Sequence, residues 1–427
     1  MPPTALFKPR HRESAPVTSR LTPVQLRRLL ARTLRIALDG GPAHAQLIER
    51  WAQAEARPDS WYAALTWDGV GAAVGWALAA LDLRGVAPPD VDQLAADAYD
   101  EARRQCVQQA ADLERIGVEF AAAGIPVIAL KGSALLVGNV SPALGIRWMN
   151  DVDVLVPESQ LEPAEWVLES LDFLRSAPRD ASVPEVFRPY HDTFIGPAAQ
   201  TVELHWRLGP ARWGEGWDVE GWFARAEAAS VPGVLQPSAM DLFWHFLVHD
   251  ARNHAWSSGS LRAALDLTLA ARARGFSFAE VLRRLDADPR PEPLLEAVAD
   301  AANLSPILAA EVEPTPQPRY LRLASWRDTI GRRKWRTERV SEAIAWGATI
   351  ERARRYGLWR AVFERALRVI PEAVPGRGVF AAVRRGFVTV RHAGFVGALA
   401  VSHILSIPAA AAQRRRRLPS PQPPDTA

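Results

Sequence analysis

The chain has 427 residues, of which 48% are hydrophobic, and its 51 Lys and Arg against 48 Asp and Glu give a net charge of +3. This composition is typical of a globular protein of roughly two to four domains, and it excludes collagen-like and wholly disordered chains. The single cysteine, Cys106, cannot form an internal disulfide, which excludes both a disulfide-stapled secreted scaffold and a cysteine-rich zinc module.

The first part of the chain is predicted to be helical after a short leader. Residues 1–20 are rich in Pro and Arg and lack apolar periodicity, so we expect a disordered leader. They also lack the apolar segment of a secretory signal, which favours a cytoplasmic protein. Over residues 21–115, apolar residues recur at intervals of three and four, with breaks at GGP, RPDS and GVAPPD. This spacing predicts a bundle of short helices.

The apolar periodicity changes next, and residues 116–210 are predicted to form a small α+β core. Four short apolar or alternating runs predict strands: PVIAL at 126–130, DVDVLV at 151–156, TFIG at 193–196 and QTVELHW at 200–206. A helical pattern at 157–171 separates the second run from the third. Helical patterns resume over residues 211–312, which we expect to pack on the core. The predicted fold class is therefore α+β, with a small core between mostly helical regions.

Three carboxylates are predicted to meet at one edge of this core. In DVDVLV, Asp151 and Asp153 project from the same face of a strand, because strand side chains alternate. Such a pair repels itself unless a cation intervenes, and Mg²⁺ is the hard ion that suits it. In TVELHW, Glu203 and His205 share a face, which brings a third carboxylate to the same edge. A bare Asp-x-Asp is also common on solvated edge strands, so the prediction of a metal site rests on all three carboxylates together.

Phosphate-binding residues are predicted beside the carboxylates. Gly132 and Ser133 follow the first strand, where small residues let backbone N–H groups and a hydroxyl approach a triphosphate, although an ordinary helix cap is the alternative. Lys131 is one of only three lysines in an Arg-rich chain. This rarity indicates that a slim ammonium group is required at this position, and we expect it to contact a phosphate. Arg147 is predicted either to clamp phosphate or to pair with Asp151, and the sequence favours neither.

The order of these residues resembles the active-site signature of the DNA polymerase beta-like nucleotidyltransferase superfamily: Gly-Ser, then Asp-x-Asp between hydrophobic residues, then a carboxylate on a later strand. More narrowly, LKGSALL, Arg147 before DVDVLV, the strand ending in ELHW and the later H-x4-H-x-W are similar to a poorly characterised bacterial nucleotidyltransferase family. The 17 residues between Ser133 and Asp151 favour this narrower family. The resemblance covers about residues 124–270, and it leaves out the N-terminal helices and the C-terminal segment. It implies a small mixed-sheet nucleotidyltransferase core.

The resemblance implies metal-assisted transfer of a nucleotidyl group from an NTP, with ATP the first candidate, to an unidentified acceptor. Asp151, Asp153 and Glu203 are implied as catalytic residues and as ligands of two Mg²⁺ or Mn²⁺ ions, and Glu203 also as a base toward the acceptor. The acceptor is a protein or peptide, a small molecule or an RNA end. Two alternatives stay open: kinase-like transfer of the terminal phosphate by the same site, and a non-catalytic nucleotide- or partner-binding module.

Histidines further along the chain have a simpler interpretation. His245 and His249 have the i, i+4 spacing of a zinc pair, but no Glu at HExxH spacing and no cysteine cluster accompanies them, so zinc is not predicted. By resemblance, His249, His254 and Trp256 belong to a helix behind the nucleotide pocket, in which buried, hydrogen-bonded histidines are expected. Four tryptophans are expected to be core or interface residues rather than to stack on a base: Trp206, Trp213, Trp217 and Trp222.

The end of the chain is strongly basic. Residues 331–427 carry 19 Lys and Arg against 6 Asp and Glu, whereas residues 1–330 carry 32 against 42. A basic helical segment with a disordered end is therefore predicted at 313–427. An anionic surface, nucleic acid or membrane, is the candidate partner of residues 331–427, and internal pairing is the alternative. Residues 393–412 are uncharged and long enough for a bilayer span but weakly hydrophobic, which favours a buried or interfacial helix and leaves peripheral membrane attachment open.

Overall fold

The computed structural model describes residues 20–67, 69–138, 140–176, 190–196, 200–209, 218–253, 260–289, 291–322 and 324. All of them lie in the first of two compact units, Met1–Glu338. The predicted leader up to residue 19 and the basic segment from residue 325 onwards, with its uncharged stretch at 393–412, lie outside the described residues. None of the helices that the structure describes is long and apolar enough to span a membrane.

The N-terminal part of the described chain is helical, as its apolar spacing predicts. Its helices are α1 (Pro23–Leu38), α2 (Ala45–Ala52), α3 (Pro58–Tyr62), α4 (Gly71–Ala80) and α5 (Pro89–Ala122), with a π-helical turn at Ala63–Trp67. The small residues of α4 let it pack closely on α5. At Gly75 of α4 a Cβ atom would overlap the carbonyl oxygen of Ala95, so this contact requires glycine.

A mixed sheet follows these helices. Its strands, in the part of the chain that the structure describes, are β1 (Ile128–Ala129), β2 (Val152–Leu155), β3 (Leu174–Arg175), β4 (His191–Ile195), β5 (Thr201–His205), β6 (Glu227–Ala228) and β7 (Leu235–Gln236). They lie in the order β3-β4-β5-β2-β1-β7-β6. Strand β2 runs parallel to β5 and antiparallel to β1, which itself runs parallel to β7. The predicted α+β fold class is confirmed, and each of the four predicted strands is present.

Further helices flank the sheet. They are α6 (Lys131–Val137), α7 (Leu161–Ser170), α8 (Val219–Arg225), α9 (Ala239–Val248), α10 (Leu261–Ala270), α11 (Phe278–Ala287), α12 (Glu292–Ala302), α13 (Pro306–Ala309) and α14 (Arg319–Arg322). Serine side chains cap the first turns of α9, α10 and α11. One apolar core includes residues from α1 to α14 and the valines of β2. The predicted boundaries between domains, at residues 20, 115, 210 and 312, stay a prediction.

Candidate active site

Asp151, Asp153 and Glu203 converge on one face of the sheet. Asp153 of β2 is the register partner of Glu203 on the parallel strand β5, and register partners project from the same face. Asp151 lies one residue before β2, and each of the three residues offers a carboxylate oxygen within 4.8 Å of the others. Asp153 and Glu203 are buried, whereas Asp151 is partly exposed. The structure thus brings the three predicted carboxylates together.

Lys131 places its ammonium group between two of these carboxylates. Its Nζ lies 2.6 Å from Oδ1 of Asp153 and 3.3 Å from Oε2 of Glu203, and the Lys131 side chain is only 8% exposed. The backbone of Lys131 is left-handed, with φ of +46°, which costs a non-glycine residue about 1–2 kcal/mol. The buried ion pairs hold this conformation in place. The side chain that the sequence assigns to phosphate therefore neutralises carboxylates in this structure.

Two histidines, neither of which was predicted to belong to the site, complete the charged cluster. His205 follows Glu203 by two residues on β5, and its Nε2 lies 3.0 Å from Oδ1 of Asp153. His191, on the adjacent strand β4, is the register partner of His205 and directs Nε2 toward Oε1 of Glu203 at 3.5 Å. Burial acts to raise the pKa of Asp153, but Lys131 and then His205 outweigh it, so this pKa is lowered overall. Asp153 is therefore a carboxylate at neutral pH.

Gly132 and Ser133 lie at the start of α6, directly after β1. The hydroxyl of Ser133 accepts a hydrogen bond from the backbone N–H of Asp153 at 2.9 Å, so it fixes the strand that carries the carboxylates. At Gly132 a Cβ atom would overlap Nη1 of Arg147 and Sδ of Met149. Glycine thus lets the guanidinium group approach the backbone of α6. The phosphate-binding roles of both residues stay predictions.

Arg147 forms a partly buried ion pair that could not be predicted from the sequence. Its Nε donates a hydrogen bond to Oδ1 of Asp266 on α10 at 2.8 Å; Asp266 is buried, and the Arg147 side chain is 11% exposed. Burial would lower the pKa of Arg147, but Asp266 raises it, assisted by Asp153 and Asp151, so the pKa is raised overall. Asp266 is thus a site residue that sequence reasoning missed. Its position as the one acidic residue among the apolar residues of LRAALDLTLA was the sequence feature that could have indicated a buried, paired carboxylate.

A buried acid, Asp250, interacts electrostatically with the Arg147–Asp266 pair. It lies in a π-helical turn at His249–Asn253, and its Oδ2 has no hydrogen-bond partner among the described residues. Burial, followed by the charge of Asp266, raises the pKa of Asp250 to about 7, although Arg262 and Arg147 act in the opposite direction. Asp250 therefore changes its charge near neutral pH beside the predicted phosphate-binding arginine.

The predicted burial of His249 is confirmed, at 7% exposure, and His245 is buried as well. Its ring packs edge-on against Trp222, and it forms a hydrogen bond with the backbone of Leu208. Burial, followed by the positive charge of Lys131, lowers the pKa of His245 to about 3, so the ring is neutral at physiological pH. The clusters of potential metal ligands among the described residues do not include His245 or His249.

Of the four tryptophans that were expected to be core or interface residues, the structure describes two, and both lie in the core. Trp206 and Trp222 are buried within apolar clusters, at 7% and 3% exposure. Four residues singled out in the sequence lie outside the described residues: Trp213, Trp217, His254 and Trp256.

A pocket of about 130 Å³ lies beside Gly132 and Arg147. Its other walls are mostly apolar and come from α5, α6 and the loop before β2: Cys106, Leu135, Leu136, Ala143, Leu144 and Met149. Because the three carboxylates do not line it, the pocket offers apolar contact next to the charged cluster rather than at it.

Comparison with models of protein families identifies the family of this chain. Residues 54–305, more than half of the chain, match the model of a family described as an uncharacterised nucleotidyltransferase. The match extends beyond the predicted 124–270 at both ends, so the expectation that the N-terminal helices lie outside the family region is wrong from residue 54 onwards. No curated protein matches the chain. Since the family model covers most of the described fold and the converging carboxylates, the chain belongs to this uncharacterised nucleotidyltransferase family.

Proposed function

We propose that the protein is a divalent-cation-dependent nucleotidyltransferase of the DNA polymerase beta-like type, which moves a nucleotidyl group from an NTP to an acceptor. The proposal is carried by the convergence of Asp151, Asp153 and Glu203 in a chain of a nucleotidyltransferase family. Carboxylates this close repel one another unless positive charge lies between them. Transfer of a nucleotidyl group from a triphosphate needs such a concentration of cation ligands.

The chemistry of the three ligands fits Mg²⁺ or Mn²⁺. All three residues offer carboxylate oxygens, which are the hard ligands that Mg²⁺ prefers, and two of them are fixed by the backbone of a buried sheet. When bound, the ion would neutralise phosphate charge and polarise the phosphorus under attack. The position of the Lys131 ammonium group between Asp153 and Glu203 supports this fit, because it indicates that the cluster attracts positive charge.

Lys131 and Arg147 bind the triphosphate in this proposal. The ammonium group of Lys131 exchanges a carboxylate oxygen for a phosphate oxygen by rotation of its flexible side chain. Arg147 is held through Nε by Asp266, which leaves its Nη atoms beside Gly132 to donate to phosphate. The apolar pocket next to Gly132 receives the nucleobase, since its walls suit an aromatic ring better than a triphosphate. ATP is the first candidate for the NTP.

The proposed reaction is an in-line displacement at the α-phosphorus. An oxygen of the acceptor forms a bond to the α-phosphorus, the bond from that phosphorus to the oxygen that bridges to the β-phosphorus breaks, and pyrophosphate leaves. The acceptor oxygen loses its proton to a nearby carboxylate, for which Glu203 is the candidate. The acceptor is a protein or peptide side chain, a small molecule or an RNA end.

Labelled nucleotides test this proposal. The full chain is incubated with Mg²⁺, a cell extract and each NTP labelled at either the α- or the γ-phosphate, and the protein, RNA and small-molecule fractions are counted. Transfer of the α-label, lost in Asp153→Asn, is expected. Asp286→Asn changes an exposed residue of α11 and is the matched control, which should keep the wild-type rate. Transfer of the γ-label alone would establish the kinase-like alternative, and NTP binding without any transfer would establish a nucleotide-binding module.

A further inference from the structure

Two imidazoles and one carboxylate meet next to the three-carboxylate cluster. His191 and His205 face each other across the antiparallel strands β4 and β5, and Glu203 precedes His205 by two residues on the same face of β5. Each of the three residues offers one potential ligand atom, and these atoms lie within 4.8 Å of one another. All three residues are buried.

The distances within this group match ligands around an ion better than hydrogen bonds. Nε2 of His191 lies 3.5 Å from Oε1 of Glu203, and Nε2 of His205 lies 3.5 Å from Oε2 of Glu203. A well-formed N–H···O hydrogen bond is about 2.7–3.2 Å long. Two ligand atoms at about 2.0–2.1 Å from one tetrahedral ion lie roughly 3.4 Å apart, so each nitrogen lies at a ligand's distance from one of the two oxygens of Glu203.

The ligand types select a class of ion. Imidazole nitrogen suits Zn²⁺, Fe²⁺, Ni²⁺ and Cu²⁺, whereas Mg²⁺ and Mn²⁺ suit oxygen ligands. Two histidines with one carboxylate are a recurrent ligand set of catalytic zinc and non-haem iron sites. We propose that His191, Glu203 and His205 bind one transition-metal cation of the Zn²⁺ class, next to Asp153. The proposal deepens the function proposed above, because it adds a transition metal at the acceptor side of the same cluster.

The proton of His205 must move when this ion binds. In the structure Nε2 of His205 lies at hydrogen-bond distance from Oδ1 of Asp153, whereas a ligand nitrogen must present its lone pair. Binding through Nε2 therefore requires the neutral ring with its proton on Nδ1. Nδ1 is buried and has no hydrogen-bond partner among the described residues in either tautomer, so the change forfeits no bond at that atom. The bond between Nε2 and Asp153 is replaced by contact of both groups with the cation.

Cobalt absorption tests the site without any nucleotide. The full chain is treated with a chelator and titrated with Co²⁺, whose visible bands report bound nitrogen and oxygen ligands. We expect one Co²⁺ per chain, displaced by Zn²⁺ and not by an equal concentration of Mg²⁺. His191→Gln should weaken this binding by about tenfold or more, since even partners outside the ligand shell contribute that much. His44→Gln, at an exposed histidine before α2, is the matched control and should leave the affinity unchanged.

A second measurement uses the unaltered protein, because His191→Gln removes a buried group and risks misfolding. Pulsed electron paramagnetic resonance of the wild-type chain loaded with one equivalent of Cu²⁺, which binds imidazole, should show coupling to ¹⁴N of imidazole. The proposal is overturned if no ¹⁴N coupling appears, or if His191→Gln folds and binds Co²⁺ as tightly as wild type. In that case α-label transfer with Mg²⁺ can still succeed, so failure of the histidine site is distinguished from failure of the nucleotidyltransferase proposal.

Discussion

Replacing Lys131 with Met removes the ammonium group between Asp153 and Glu203 and keeps an unbranched side chain of similar length. At an effective dielectric constant of about 20, the 2.6 Å and 3.3 Å separations correspond to attractions of about 6 and about 5 kcal/mol before desolvation. Desolvation of the buried groups cancels most of this attraction, and loss of one partner of a buried ion pair costs about 3–5 kcal/mol. We therefore expect Lys131→Met to lower the free energy of unfolding by about 3–5 kcal/mol at pH 7.

The loss should depend on pH and on divalent cations. Burial acts to raise the pKa of Asp153, but Lys131 and His205 lower it overall. The stabilising effect of Lys131 is thus complete above about pH 4, the ordinary pKa of an aspartate, and is lost as the pH falls through the lowered pKa of Asp153. Because Mg²⁺ competes with the ammonium group for the same oxygens, Mg²⁺ should stabilise Lys131→Met more than the wild type.

Urea unfolding of the full chain at pH 7, with and without Mg²⁺, measures both effects. The matched control is Arg283→Met, which breaks an exposed pair with Glu280 and should cost at most about 1 kcal/mol. A Lys131→Met variant within about 1 kcal/mol of the wild type, or equal stabilisation of both proteins by Mg²⁺, would refute the reasoning.

Three further predictions follow from the surroundings of Arg147. Gly132→Ala should displace the guanidinium group of Arg147, and it should therefore destabilise the fold by about 1–3 kcal/mol in thermal unfolding and weaken NTP binding. An unchanged Tm would contradict the overlap at Gly132. Asp266→Asn should weaken NTP binding in calorimetry by roughly tenfold through loss of one charge-assisted hydrogen bond, and unchanged affinity would show that Arg147 needs no such anchor. Because the pKa of Asp250 is raised to about 7 in the fold, the stability that its protonated form contributes is complete below about pH 4 and is lost as the pH rises through about 7. Asp250→Asn should therefore gain stability relative to the wild type as the pH rises over that range. A pH-independent difference between the two proteins in urea unfolding would contradict this.

The face that each strand carboxylate occupies could be predicted, because this face is decided locally along its own strand. Alternation along a strand decides which face Asp153 and Glu203 occupy, and two parallel neighbours in register then place them together. The strands β3, β6 and β7 have two residues each, too few for an alternating pattern, and unlike β1 they were not predicted.

The partners of the basic residues could not be predicted, because they depend on long-range packing. Asp266 lies 119 residues after Arg147, and no periodicity connects positions so far apart. The contact of Lys131 with the carboxylates depends on a left-handed backbone at residue 131, which the sequence pattern gives no reason to expect of a lysine. The role of His205 beside Asp153 likewise required the register of two strands.

Calorimetry of NTP binding tests the central claim most directly, since it needs no knowledge of the acceptor. The wild-type chain and Asp286→Asn should bind an NTP tightly with Mg²⁺ and weakly without it, and the double variant Asp151→Asn, Asp153→Asn should lose this dependence on Mg²⁺. Glu203→Gln should keep most of the NTP affinity and lose turnover, because Glu203 serves the acceptor side. Mg²⁺-dependent NTP affinity that is unchanged in the double aspartate variant would contradict the account.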